Sequence, residues 1–215
     1  MDTPQTLPVL NDTELRVLGS LMEKSKTTPD YYPMTVNGLT AACNQKTARK
    51  PVVEYDEQTV VLALDALKRK GLISTATGGS SRATKYKHNF GIVFPVVPSE
   101  VAVICLLILR GPQTPGEINT NSGRLYEFEN LDDVTEMLDK LAGGDLPYIE
   151  QMPKRPGQKE VRYRHLLGGT VPEDDAYDEP QRRSSNSELE DRLSKLETDF
   201  AELKEAFDKL MKELS

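Results

Sequence analysis

The sequence predicts a mainly helical α+β protein: two tandem winged-helix domains, each a helix-turn-helix with a two-stranded β-wing, followed by a C-terminal coiled-coil helix. Three observations predict it. The stretches "LDALKRKGLISTATGGSSRATKYKH" (Leu64 to His88) and "LDKLAGGDLPYIEQMPKRPGQKEVRYRH" (Leu138 to His165) share one grammar, opening Leu-Asp-x-Leu and closing Tyr-basic-His. Each follows an apolar-periodic stretch and a short threonine-opened one, so the same unit is spelt twice. From Leu189 onward, apolar residues then recur at alternating spacings of four and three.

The first element is "NDTELRVLGSLMEK". Asn11 is its N-cap, with Glu14 three residues on as the reciprocal partner of a capping box. Leu15, Leu18, Leu21 and Met22 line one face. "PSEVAVICLLILRG" is its counterpart, more thoroughly apolar. Thr35 and Thr114 open short second helices, with Leu39 and Ile118 at the fifth position. Third helices are predicted over Glu57 to Lys70, with Val60, Val61, Leu64 and Leu67 inward, and over Leu131 to Leu141, with Val134, Leu138 and Leu141 inward. Glycine closes each.

A hairpin follows in both copies, around a Gly/Ser or a Pro-Gly tip. Strand alternation puts Tyr86 and His88 on one face and Lys85 and Lys87 on the other, and likewise Tyr163 and His165 against Arg162 and Arg164. The expected divisions are an N-terminal extension (1–9), winged-helix domains at 10–95 and 96–167, a disordered acidic linker at 168–187 and a coiled-coil helix at 188–215. One continuous α+β domain over the two copies is the alternative. The first copy carries an extra "TARKPVVEYD" between its second and third helices.

The heptad positions are Leu189, Leu193, Leu196, Phe200, Leu203, Phe207, Leu210 and Leu214. They predict a homodimer through the tail. A parallel pairing brings Arg192 to Glu197 and Asp199 to Lys204; an antiparallel one brings Arg192 to Glu213. Orientation and strand number stay open, and a helix folded back on its own domain is the competing reading.

Composition bounds the function. Net charge is −7, which argues against indiscriminate coating of nucleic acid. The charge is uneven: residues 46–90 hold 9 Lys/Arg against 4 Asp/Glu, whereas residues 168–215 hold 7 against 14. The longest apolar run, Val101 to Leu109, is about half a membrane span. With no secretory leader pattern and only two cysteines, Cys43 and Cys105, a reduced cytoplasmic location without disulfides is expected.

The motifs "RVLGSLMEK" (16–24), "TTPDYYPMTVNGLTAACNQK" (27–46), "LLILRGPQTPGEI" (106–118), "RLYEF" (124–128) and "RYRHLLGG" (162–169) make residues 10–169 resemble the bacterial YceH family. The resemblance implies tandem winged helices in a cytoplasmic protein, often with a heptad tail, and implies no activity. Relatives of that pattern tend to carry arginines soon after the Gly-Glu pair. This chain has Asn119 and Asn121 there and keeps Arg124, which weakens phosphate binding by its second short helix.

The residues themselves favour a DNA-binding, regulator-like protein. Lys46, Arg49 and Lys50 follow the second helix, Arg69 ends the third among Lys68 and Lys70, and Arg82, Lys85 and Lys87 lie on the first wing. Arg162 and Arg164 repeat the pattern on the second wing. Such cations bind duplex phosphates by releasing counterions; Asn44, Gln45 and Arg49 could reach base edges. Against this, both third helices begin with acid, Asp56-Glu57 and Asp132-Asp133. That is ordinary pairing with the helix dipole, but it repels phosphate. The runner-up is a protein-interaction scaffold, for which Leu62 is the nameable outward apolar residue. An enzyme has little support: no nucleophile triad, metal spacing or phosphate-loop glycine pattern occurs, and no cofactor or membrane partner is expected. His88 and His165 are expected to pack within their own domains, and Cys43 to be a small core residue. The Tyr31-Tyr32 pair, between Pro29 and Pro33, is expected to pack the turn between the first two helices, with stacking on a ligand as the alternative.

Overall fold

The computed structural model describes residues 6–76, 83–154 and 158–169, together with Lys195 and Lys204. The chain divides into a compact unit, Met1–Thr170, and a second unit, Val171–Ser215. The first is mixed α+β and mainly helical, with two small antiparallel sheets. In the second, Lys195 and Lys204 are helical and exposed. The heptad positions from Leu189 to Leu214, like most of the expected linker, lie outside the described residues.

Helix α1 (Asp12–Thr27) starts as its sequence dictates. Asn11 Oδ1 accepts the Glu14 N–H and Glu14 Oε2 accepts the Asn11 N–H, both at 2.9 Å, satisfying two donors that a helix start leaves open. A short 3-10 turn (Pro29–Tyr31) leads to α2 (Val36–Cys43), capped by Thr35. Helix α3 (Glu57–Arg69) is capped by Asp56 and ends at Gly71, whose φ of +74° suits glycine. Strands β1 (Ile73–Ala76) and β2 (Lys85–His88) then pair antiparallel, Ile73 facing His88 and Ala76 facing Lys85.

After a connecting turn of helix, α4 (Phe90–Val93), the order repeats: α5 (Pro98–Arg110), α6 (Pro115–Ser122), α7 (Leu131–Ala142), β3 (Ile149–Gln151) and β4 (Tyr163–His165). The repetition extends to single hydrogen bonds. Met34, just before the Thr35 cap, exchanges backbone bonds with Tyr86 at 3.0 and 2.8 Å. Gln113, just before the Thr114 cap, does the same with Tyr163 at 3.1 and 2.9 Å. In each copy the second strand thus also pairs with the chain entering the second helix.

One hydrophobic core serves both copies. Helices α1 and α5 pack so closely that a Cβ on Gly19 would lie 2.7 Å from Ile108 Cγ2 and 2.9 Å from Leu109 Cδ2. Phe90 and Phe94, both buried in the connector, stack at 4.9 Å, and Phe94 meets Tyr148 of the second copy edge-on at 5.8 Å. The chain before α1 is also tied to the end of the second copy, with the Leu10 N–H donating to Leu167 O at 2.7 Å.

One inward assignment is corrected. Val61 is 37 % exposed, whereas Ala63 is buried beside Val60, Leu64 and Leu67. Packing against α1 and α2 turns α3 slightly about its axis, and the small Ala63 takes the close-approach position. Both cysteines are buried and unbridged, as expected.

Gly19→Ala is expected to destabilise the protein by about 1–3 kcal/mol in urea unfolding, because α5 side chains occupy the space of the new methyl. Gly38→Ala, which meets only ordinary contacts at 3.5 Å or more in α2, should be neutral or stabilising by up to about 1 kcal/mol.

Candidate nucleic-acid interface

The basic residues singled out above fall into three groups. Arg49 is not a surface cation: its side chain is fully buried. Its Nη1 and Nη2 donate to the two Glu23 carboxylate oxygens at 3.0 and 2.6 Å, and its Nε and Nη2 donate to Ala42 O at 3.3 and 3.1 Å. Nη2 also donates to Gln45 Oε1 at 3.1 Å. The expected base-reading role of Arg49 is therefore corrected to an internal one. Asn44 is likewise engaged, its side-chain amide exchanging two 2.8 Å bonds with the Tyr55 backbone. Gln45 accepts from Lys24 as well as from Arg49.

These bonds explain the "TARKPVVEYD" insert, which braces the fold. Arg16, buried in α1, donates to Cys43 O at 3.2 Å and Pro51 O at 2.5 Å. The Lys50 N–H donates to Leu109 O at 2.8 Å, reaching the end of α5. Burial, with Arg49 alongside, lowers the pKa of the Arg16 guanidinium. Burial works against ionisation of Glu23, but hydrogen bonds and charge from Arg49, with help from Lys24, hold its carboxyl below the ordinary range.

The second hairpin forms the next group. Arg162 Nη1 and Nη2 fork onto Glu117 at 2.7 and 3.2 Å, and Nη1 also donates to Pro112 O at 3.0 Å. Arg164 is paired with Glu150, its cross-strand neighbour. Both arginines are about four-fifths buried and already hold carboxylates, Arg162 tying the hairpin to α6 and Arg164 bridging the two strands.

The first hairpin differs. Lys85 and Lys87 face Ala76 and Ser74 across the strand pair, and neither neighbour is charged. Lys87 is exposed and Lys85 half-exposed; among the described residues neither has an ion pair. Lys46, Lys50 and Arg69 are exposed, whereas Lys70 is drawn to Glu14 at 2.7 Å. Arg82 lies outside the described residues. Lys26, which sequence reasoning missed, joins this surface: it ends α1 beside Ser25, whose hydroxyl bonds His88 Nε2 at 3.2 Å, and its charge reaches His88. Its only sequence signal was a place in the last turn of a helix, which says nothing of the strand packed there.

The two histidines occupy matching places. Each faces an isoleucine across its hairpin, Ile73 or Ile149, and each has a buried Nδ1 without a hydrogen-bond partner among the described residues. Burial pushes both down to about 4, with the positive charge of Lys26 adding for His88 and that of Arg164 for His165. Tyr32 is half-buried and its hydroxyl accepts the His88 N–H at 2.7 Å; burial pushes that phenol up to about 12. Tyr31 departs from the packing expectation, being 77 % exposed. Among the described residues no cluster of three metal-ligating side chains occurs, and no helix is long and apolar enough to cross a membrane.

Two outcomes follow. Arg49→Ala is expected to cost about 3 kcal/mol or more in denaturant unfolding, because Glu23 is left ionised in a partly buried site. Each histidine binds a proton more readily unfolded, near 6.5, than folded, near 4. Stability is therefore full above pH 6.5 and falls as pH drops toward 4, by at most about 3 kcal/mol per histidine. His88→Asn and His165→Asn should each flatten that part of a stability–pH curve.

The chain matches the family model described as "Protein of unknown function, DUF480" over residues 10–158. It is 46% identical over 207 residues to a UPF0502 protein of Shewanella piezotolerans, covering 91% of this chain and 94% of that one. A UPF0502 protein of Opitutus terrae is 44% identical over 201 residues (93% and 85%), and one of Solibacter usitatus 45% over 201 residues (93% and 95%). With the family model spanning residues 10–158, which include α1 to α7 and the first hairpin, and relatives above two-fifths identity over most of both chains, the chain belongs to the DUF480/UPF0502 family of bacterial proteins.

Proposed function

We propose that this is a non-enzymatic, cytoplasmic DNA-binding protein of the regulator type, whose two repeated units are winged helices and whose heptad tail pairs two chains. The first unit holds the duplex, and its wing lies along the phosphate backbone. The observation that carries this reading is the divergence of the two hairpins. Lys85 and Lys87 stand opposite neutral Ala76 and Ser74, while Arg162 and Arg164 are neutralised by Glu117 and Glu150. A cation without a carboxylate partner keeps its counterions, and their release on meeting phosphate drives binding. Lys46, Arg69 and Lys26 extend the same charge. Contacts of this kind position a duplex without reading its bases. The acidic start of α3, with Asp56 as its cap, limits how closely that helix approaches phosphate.

A second reading has its own observation. Leu62 is 63 % exposed and Val61 37 % exposed on the outward side of α3, an apolar pair where a groove-reading helix would carry donors. A protein partner docking on α3 would cover both.

The test is binding of the full chain to mixed-sequence duplex DNA between about 50 and 200 mM salt. Five phosphate contacts give a slope of log K on log salt near −4.5, and Lys85→Ala with Lys87→Ala should reduce its magnitude by about 2. Arg49→Gln, folded, should leave the slope unchanged. No binding at the lower salt would favour docking on α3, to be sought with Leu62→Asp.

A further inference from the structure

We propose that a cleft beside α7 docks an arginine-bearing segment of a partner protein. The cleft, of about 390 Å³, lies between the 126–129 loop, the face of α7 from Asp133 to Lys140 and the start of α5 at Ser99. Its apolar lining is Tyr126, Phe128 and Met137; the two rings meet edge-on at 4.9 Å, and Tyr126 is 40 % exposed. Four carboxylates rim it: Glu127, Glu129, Asp133 and Glu136. Among the described residues none of the four has an ion pair. The one cation at the rim, Lys140, is held by buried Glu100 at 2.8 Å.

The occupant follows from charge complementarity. Asp133 lies in the first turn of α7, where the helix dipole accounts for an acid. That reasoning does not reach Glu136 a turn later, nor Glu127 and Glu129 ahead of the cap. Carboxylates without an ion pair around the exposed Tyr126 ring and the half-buried Phe128 ring repel phosphate and attract cations. A guanidinium suits both features, because it stacks flat on a ring while its fork binds carboxylate in two places. An ammonium has no plane to stack. Two rings come from the "RLYEF" stretch, which the DNA reading leaves without a role. The proposal does not depend on that reading: the cleft belongs to the second copy, and the basic surface to the first.

The experiment titrates the full chain into a short fluorescein-labelled peptide of alternating Arg and Gly at about 50 mM salt, with a Lys-for-Arg peptide alongside. The expected result is saturable one-to-one binding of the arginine peptide, weakened at least tenfold by Tyr126→Ala and by Glu129→Gln with Glu136→Gln. Tyr126→Phe should bind as the parent does, and the lysine peptide should bind more weakly. Glu54→Gln with Asp65→Asn removes the same charge from the first copy, and should change binding less than twofold. Equal loss in that control would mean attraction to net charge alone and would overturn the proposal. So would absence of binding, equal affinity for the lysine peptide, or insensitivity to Tyr126→Ala, each variant being matched to the parent by its melting temperature.

Discussion

The close approach of α1 and α5 at Gly19 is the constraint on which the rest depends. With no side chain at that point, Ile108 and Leu109 sit against the α1 backbone, and the Cys105 thiol donates to Gly19 O at 3.4 Å. Two repeats whose first helices meet this way bury one core between them. The other links then fall into place around it: Leu10 to Leu167, Lys50 to Leu109, and Phe94 against Tyr148. Each joins first-copy or connector residues to the second copy. Separating the copies would expose the apolar face of α5, in which every residue from Ala102 to Leu109 is buried.

The two copies keep the same backbone scheme and differ in where charge is neutralised. In the first, the buried cations are Arg16 and Arg49, which hold backbone carbonyls and Glu23 at the α1–α2 junction. Removing one partner of such a pair is costly, because the other is left charged in a poorly solvated place. In the second, Arg164 pairs with Glu150 across the hairpin and Arg162 ties the hairpin to Glu117 of α6. The first copy therefore keeps Lys85 and Lys87 for the outside, whereas the second pairs Arg162 and Arg164 and gathers acid around α7. Repetition preserved the bridges Met34–Tyr86 and Gln113–Tyr163, which shape the fold, and left the surfaces to diverge.

On the two proposals, the cationic face of one copy and the anionic, aromatic cleft of the other would each take a different partner, on one shared core. The buried histidines, without a hydrogen-bond partner at Nδ1 among the described residues and held neutral, lie on the hairpin face turned toward the helices.

The local elements were legible in the sequence because their causes are local. Asn11, Thr35 and Thr114 cap the helices they open, as Asp56 and Asn130 do for the third helices, and apolar spacing marks which face of each helix turns inward. The fates of the charged residues were not legible, since an arginine at a given position reads the same whether it faces solvent or a carboxylate brought from elsewhere. Glu23 lies 26 residues from Arg49, and Glu117 lies 45 from Arg162; only folding brings them together. The same holds for Val61, whose exposure beside buried Ala63 depends on how α3 meets its neighbours. Periodicity by itself determined the helices, the hairpins and their duplication. Tertiary packing alone decided that the copies share a core through Gly19 and which cations face outward, because long-range contacts have no imprint in the spacing of neighbouring residues.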